Sequence, residues 1–321
     1  MIFSTHPLHP EVTADLRALG DYRVASAPTP QAISTESAGA AIIVVRAPIP
    51  PGIAPREGGL RALIRHGAGL DMIPVDEATE AGVLVANVPG ANALTVAEHA
   101  IWTALALLRR NPQVTRDLQA GGWAAGRAHS DHGRELSGRT LGILGFGNIG
   151  RTLARIARQG FGMPVVVHSR SPVSDMDVQV VTLPELLERA DVLVLCAPLT
   201  DQTRGLIDAA ALARMKPGSV LVNVARGPLV VEESLIRALA SGHLGGAALD
   251  VFDTQPLPAD HPLLKLPNVI LTPHMAGITV ESMLRMGQGV VAEARRIMAG
   301  ELPLNLVNPE VVSTYRARFP A

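Results

Sequence analysis

Three segments of this chain finish an apolar run and then place a reactive side chain within a few residues. They are NVARGPLV at 223–230 with Arg226, LDVFDTQPLP at 249–258 with Asp250, and LTPHMAG at 271–277 with His274. A guanidinium can clamp a carboxylate and polarise an adjacent carbonyl. An imidazole exchanges protons with a hydroxyl or ketone oxygen near neutral pH. Taken singly, each of these residues has a plain structural reading: a surface arginine, a strand-end aspartate and a capped histidine. Taken together, each stands at the carboxyl end of an expected strand, the edge where open α/β sheets bind ligands.

A fourth segment supplies the partner for such chemistry. Residues 141–171 read LGILGFGNIGRTLARIARQGFGMPVVVHSRS. An apolar run from Leu141 to Phe146 meets Gly145, Gly147 and Gly150. An amphipathic helical pattern and a second apolar run, Val165 to Val167, follow. This is the G-x-G-x-x-G fingerprint in its strand, turn, helix, strand setting. Gly145 allows the turn, Gly147 lets backbone approach a pyrophosphate, and Gly150 lets helix pack on strand. Asn148 and Ile149 open the helix, whose free N–H groups favour phosphate. In NAD-binding units an acidic residue about 20 positions on takes the ribose hydroxyls. Here Ser169 stands 19 positions after Gly150, followed by Arg170 and Ser171, with no carboxylate from Val165 to Ser174. A guanidinium and two hydroxyls suit a 2′-phosphate, so NADP(H) is the preferred cofactor and NAD(H) the alternative. Asp250 could then hold the nicotinamide carboxamide.

Apolar runs alternate with helical stretches almost throughout, the pattern of parallel sheets. Strands are expected at 40–46, 61–65, 83–88, 192–197, 219–225, 246–252 and 269–273. Helices are expected near 10–19, at 208–214 and 232–241, and over about 280–299 ahead of a polar, proline-containing tail. Thr95 and Glu98 have the spacing of a capping box for a long helix reaching Leu108. Because the fingerprint lies mid-chain, the expected fold is α/β with two Rossmann-like or flavodoxin-like parallel-sheet domains. The dinucleotide domain, 99–279, is inserted into a substrate domain of 1–98 plus 280–321. Two crossings between them would let the domains close on a ligand.

With 321 residues and a formal net charge of −1, the chain has length for two cores and no basic surface for nucleic acid. No apolar run approaches the roughly 18 residues of a membrane span, and no basic-then-apolar leader opens it. One cysteine, Cys196, excludes an internal disulfide and fits a cytoplasmic location; ending the run VLVLC, it reads as a packed strand residue rather than a nucleophile. His66, His99, His129 and His132 lack metal-ligand spacing, so no metal is expected.

The chain resembles the D-isomer-specific 2-hydroxyacid dehydrogenases, which include glyoxylate/hydroxypyruvate reductases and phosphoglycerate dehydrogenase. RHGAGLD at 65–71, NVPGANALTVAEHA at 87–100, GRELSGRTLGILGFGNIG at 133–150, CAPLTDQTRGLI at 196–207, NVARGPLVVEESL at 223–235, ALDVFDTQPLP at 248–258 and LTPHMAG carry the likeness, in order and spacing. The resemblance implies hydride transfer between NADP(H) or NAD(H) and a small 2-keto or 2-hydroxy acid. It makes Arg226 the residue that binds substrate and polarises its carbonyl, and His274 the proton donor. It makes Asp250 the carboxamide partner, and Ala68 and Gly69 part of a loop whose N–H groups hold the substrate carboxylate. Pro198, Thr203, Asn223, Ala225 and Gly277 fall at cofactor-contacting positions, and Arg46 at one reading the substrate's distal group. HSRS is similar to the same stretch of NADP-preferring hydroxypyruvate reductases. A homodimer through about 95–130 is implied, with Trp102 and Trp123 as interface or cleft residues and core packing an equal reading for Trp102.

One position departs from the family pattern. Gln255, 29 residues after Arg226 and 19 before His274, stands where a glutamate normally pairs with the histidine. Gln255 can orient the imidazole by a hydrogen bond but cannot stabilise the imidazolium by charge. Reduction, which needs the protonated ring, is therefore expected to weaken above neutral pH, unless Asp253 substitutes in part. A Gln–His pair also resembles that of formate dehydrogenases, and loss of the glutamate gives some likeness to dehydrogenase-like transcriptional corepressors that sense dinucleotide without turnover.

Overall fold

The computed structural model describes every residue except Glu57, Asp175, Met176 and Ala321. The chain forms two compact units, Met1–Asn92 with Ile278–Ala321, and Ala93–Gly277. Each is a parallel sheet with helices, as βα alternation dictates.

The first unit begins β1 (Ile2–Ser4), α1 (Pro10–Leu19), β2 (Tyr22–Val24), α2 (Pro30–Glu36), β3 (Ile42–Val45), β4 (Ala62–Arg65), α3 (Val75–Glu80) and β5 (Leu84–Ala86). The second continues with α4 (Ala93–Leu108), α5 (Asn111–Arg127), β6 (Leu141–Leu144), α6 (Asn148–Phe161), β7 (Val165–His168), β8 (Gln179–Val180), α7 (Leu183–Arg189), β9 (Val192–Leu195), α8 (Ala209–Arg214), β10 (Val220–Asn223), α9 (Glu232–Ala240), β11 (Gly246–Leu249) and β12 (Val269–Leu271). The chain then returns to the first unit as α10 (Val280–Met298) and α11 (Val312–Arg318).

Strand order is β2-β1-β3-β4-β5 in the first unit and β12-β11-β10-β9-β6-β7-β8 in the second. The first is the flavodoxin-like order, and the second is the Rossmann order extended by one edge strand. Strand residues alternate between two cores. Val192 and Val194 face one side of the larger sheet, Leu193 and Leu195 the other. Ile42 and Val44 likewise oppose Ile43 and Val45 in the smaller one. Burial on both faces is why these strands are continuous Val/Ile/Leu runs.

Several expected elements shift. Strands expected at 192–197, 219–225 and 246–252 stop at Leu195, Asn223 and Leu249, because the next residues turn out of the ladder. Thr95 is not a cap: α4 starts at Ala93 and buries Thr95 in its first turn. Genuine capping boxes form at Thr182/Glu185 and Thr279/Ser282. The polar tail is structured, with Val311 and Tyr315 buried in the first unit's core.

α10 closes that core by packing on α1. A Cβ on Gly287 would lie 2.3 and 2.8 Å from the two methyls of Val12, a fully buried and β-branched side chain. With χ1 of Val12 restricted in a helix, the clash cannot be relieved by rotation. Gly287→Ala should therefore destabilise the protein by about 1–3 kcal/mol, more than alanine gains over glycine in a helix. Urea unfolding should show a lowered midpoint, largely recovered in the Val12→Ala/Gly287→Ala double variant. A single variant as stable as the parent would refute the contact.

Candidate active site

The larger sheet aligns its strand ends by register. His168 pairs with Leu144, Leu144 with Leu195, Leu195 with Asn223, Asn223 with Leu249, and Leu249 with Leu271. Ser169, Gly145, Asp250 and Thr272 each directly follow a member of this line. Arg170 stands two residues past it, and Gly147, Pro198, Arg226 and His274 three. Residues scattered over more than a hundred positions are thus gathered along one edge.

At the β6–β9 switch point the three glycines meet three different demands. Gly145 has φ +92°, and a Cβ there would sit 2.6 Å from the Ala197 backbone. A Cβ on Gly150 would sit 2.5 Å from the Gly145 carbonyl oxygen. Around Gly147 nothing lies within 4 Å of a Cβ, and as the N-cap of α6 it makes no side-chain cap bond. The helix therefore opens with Asn148 and Ile149 onto clear space beside uncapped N–H groups, a cradle that fits a dinucleotide pyrophosphate. Past β7, Ser169 is half-buried, while Arg170 and Ser171 are exposed. Arg170 has no hydrogen-bond or ion-pair partner among the described residues. Asp177, further along, is held by Arg158 at 2.7 Å.

After β9, the Thr203 hydroxyl donates to the Pro198 carbonyl at 2.8 Å and accepts from the Thr200 N–H at 2.8 Å. Thr203 thus builds the turn that carries Pro198. Past β10, buried Asn223 donates from Nδ2 to the Arg226 carbonyl at 2.9 Å and accepts from the Ala225 N–H at 3.1 Å. Gly227 packs so closely on the Phe252–Asp253 backbone that a Cβ would lie 2.0 Å from the Phe252 carbonyl carbon. Half-buried Arg226 donates from Nη1 to the Ala225 carbonyl at 2.6 Å.

The buried Asp250 carboxylate organises the last loop. Oδ1 accepts from the Thr272 hydroxyl at 2.6 Å and the Met275 N–H at 2.8 Å, and Oδ2 accepts from the Ala276 N–H at 2.9 Å. The His274 N–H donates to the Asp250 carbonyl at 2.8 Å. These bonds hold His274 at φ +54°, an unusual conformation for a side chain with a Cβ, with its ring exposed. Gln255 donates from Nε2 to the Phe252 carbonyl at 3.3 Å, turning Oε1 toward His274 Nδ1 at 3.2 Å. Gly277 ends this loop. His99, on α4, lies 3.4 Å from the Thr272 hydroxyl, and burial lowers its pKa against the opposing influence of Asp250.

In the first unit, Ala68 and Gly69 lie in the turn after β4. Half-buried Arg46, after β3, donates from Nη1 to the Pro7 carbonyl at 2.7 Å. His66 is buried, and burial, with Arg46 and Arg65 adding, pushes its pKa down to about 4, so it is neutral near pH 7.

Thr272, Gly227, Arg65 and Asn87 carried no individual signal: Thr272 bonds the Asp250 carboxylate, Arg65 and Asn87 bond backbone carbonyls, and Gly227 serves close approach. Trp102 is 54% exposed and Trp123 76%, so core packing does not hold for Trp102. Burial pushes the Cys196 thiol up to about 12, opposite to a nucleophile's shift. No cluster of metal-ligating side chains forms among the described residues, and no helix among them is long and apolar enough to cross a membrane.

Known proteins resemble this chain in sequence and fold. A family model described as D-isomer specific 2-hydroxyacid dehydrogenase, NAD binding domain, matches residues 101–276. The D-3-phosphoglycerate dehydrogenase of Methanocaldococcus jannaschii is 37% identical over 314 residues, which cover 96% of this chain and 59% of that protein. The chain therefore spans about three-fifths of that relative's length. The glyoxylate reductase of Korarchaeum cryptofilum is 40% identical over 258 residues, covering 79% of this chain and 77% of that protein. An NADPH-dependent glyoxylate/hydroxypyruvate reductase from Sinorhizobium meliloti, crystallised with citrate, superposes with a TM-score of 0.85 at 29% identity, covering 97% of this chain and 98% of that one. With the model spanning over half the chain and these relatives matching along both units, the chain belongs to the D-isomer-specific 2-hydroxyacid dehydrogenase family.

Proposed function

We propose that this protein is an NADP(H)-preferring reductase and dehydrogenase of small 2-keto and 2-hydroxy acids, such as glyoxylate or hydroxypyruvate. The observation that carries the reading is an exposed, Gln255-oriented imidazole on the same sheet edge as Arg226 and the dinucleotide cradle. When bound, the nicotinamide supplies or accepts the hydride at substrate C2. Arg226 polarises the carbonyl, and the N–H groups around Ala68 and Gly69 receive the carboxylate. Because Gln255 Oε1 is an acceptor, the neutral His274 ring keeps its proton on Nδ1, and Nε2 exchanges the substrate's proton. Protonated, the ring gives that proton to the developing alkoxide; neutral, it takes it back in oxidation. Asp250 holds the loop, and the acceptor capacity left on Oδ2 suits the carboxamide. Arg46 reads the distal group. Outward-facing Trp102 and Trp123 support a homodimer through about 95–130, and the single cysteine supports a cytoplasmic location.

A second reading, hydride removal from formate without proton exchange, draws on the same Gln255–His274 contact. Formate oxidation assayed beside the ketoacids separates the two.

Initial rates with NADPH and NADH at about pH 6.5 against glyoxylate, hydroxypyruvate, pyruvate, phenylpyruvate and a phosphorylated ketoacid test the proposal. NADPH should be strongly favoured, and Arg170→Ala should lower kcat/KM for NADPH by roughly ten- to a hundredfold, the worth of a charge-assisted bond, while affecting NADH less. Equal loss with both cofactors would remove Arg170 from phosphate recognition.

Gln255 predicts a pH dependence. A carboxylate there would favour the imidazolium, so Gln255→Glu should carry the alkaline limb of the reduction profile upward by about 1–3 pH units. Oxidation, which needs the neutral ring, should weaken near neutrality in the same variant. A parent profile for reduction that stays flat to about pH 8.5 would sink the assignment.

A further inference from the structure

The carbonyls of the turn after β4 are all anchored inward. The His66 and Gly69 carbonyls accept from Arg65, through Nη1 at 2.8 Å and Nε at 3.0 Å. The Gly67 carbonyl accepts from the Val88 N–H at 2.9 Å, and the Ala68 carbonyl from Asn87 Nδ2 at 2.9 Å. A further bond from Arg65 Nη1 to the Val45 carbonyl, at 2.9 Å, ties the guanidinium to the neighbouring strand. A trans peptide directs its N–H opposite to its carbonyl. Three consecutive peptides with inward carbonyls therefore present the N–H groups of Ala68, Gly69 and Leu70 on the other side, an anion-binding nest. No backbone hydrogen bond among the described residues uses any of those three donors.

Register explains how two side chains reach one turn. Ile64 pairs with Ala86, so Arg65 and Asn87 are the first residues beyond a matched pair of neighbouring strands. Both then lie beneath the loop that β4 feeds.

We infer that Arg65 and Asn87 are positioning residues that set affinity for the substrate carboxylate by fixing the nest from behind. The guanidinium touches carbonyls rather than substrate. It acts through the loop, aligning the donors and polarising the peptides that carry them. The inference rests on the reading of this chain as a ketoacid reductase whose nest receives the carboxylate.

Arg65→Lys is the test, since a lysine keeps the charge but loses the planar fork that spans three carbonyls. KM for the best ketoacid should rise at least about tenfold, with kcat within about threefold and NADPH affinity, read by fluorescence, within about twofold. The thermal midpoint should stay close to the parent's. An unchanged KM in the folded variant overturns the inference, as does a joint loss of kcat, KM and NADPH affinity, the mark of a merely structural role. If Arg65→Lys does not fold, Asn87→Ala, which removes one anchor, is read the same way: KM should rise about threefold or more, and an unchanged KM overturns the inference. Oxalate binding by calorimetry keeps the two readings apart. Should the parent turn over no ketoacid yet bind oxalate, with binding weakened about tenfold in Arg65→Lys, the reductase reading fails and the nest stands. No oxalate binding by the parent would remove the nest as well.

Discussion

In a parallel ladder each residue is tied to one neighbour on the next strand, so strands that leave the sheet on one line leave their following residues side by side. The larger sheet does this six times, from His168 through Leu144, Leu195, Asn223 and Leu249 to Leu271. What each loop then does is decided within one to three residues. Asp250, first past β11, meets Thr272, first past β12, and the geometry of His274 follows from that meeting. Slippage of β12 by one residue would turn its side chains over and part Thr272 from the carboxylate that anchors it.

Asp250 is a buried charge, which costs several kcal/mol unless its lone pairs are engaged. Three donors from residues 272–276 engage them, each charge-assisted bond contributing about 1.5–3 kcal/mol. The loop gains a shape it would not take alone, including positive φ at His274. The imidazole's other restraint, Gln255, is neutral. Orientation and charge are therefore separated here: Asp250 places the backbone, and the neutral amide of Gln255 meets the ring at Nδ1.

Much of this was legible because apolar runs mark strands, and motif residues stand at fixed short offsets from strand ends. Gly145, Gly147 and Gly150 announced their turn, and the absence of a carboxylate after Val167 was visible by inspection. Strand ends were overestimated where an apolar loop residue such as Val251 or Phe252 prolongs the run past the last ladder bond. Thr95 misled because a T-x-x-E spacing carries no information on where the preceding backbone becomes helical, whereas the same spacing at Thr182 does form the box. β1 and β2 of the first unit, only three residues each, are too short for a period that separates strand from buried helix.

The support behind the nest was silent in the sequence for a deeper reason. A side chain that binds a backbone carbonyl is indifferent to the identity of the residue carrying it, so Arg65 and Asn87 leave no complementary pattern at 66–69. Both units nevertheless solve the same problem with charge. One turns a carboxylate toward N–H groups to hold a histidine, and the other turns a guanidinium toward carbonyls to hold a row of N–H groups. In each case the charged group holds a loop in place, and the ligand is left to meet a positioned imidazole or a positioned row of peptide dipoles. Groups held this way need no reorganisation as charge develops on a substrate, which is why the ions that fix the loops matter as much as the residues the loops present.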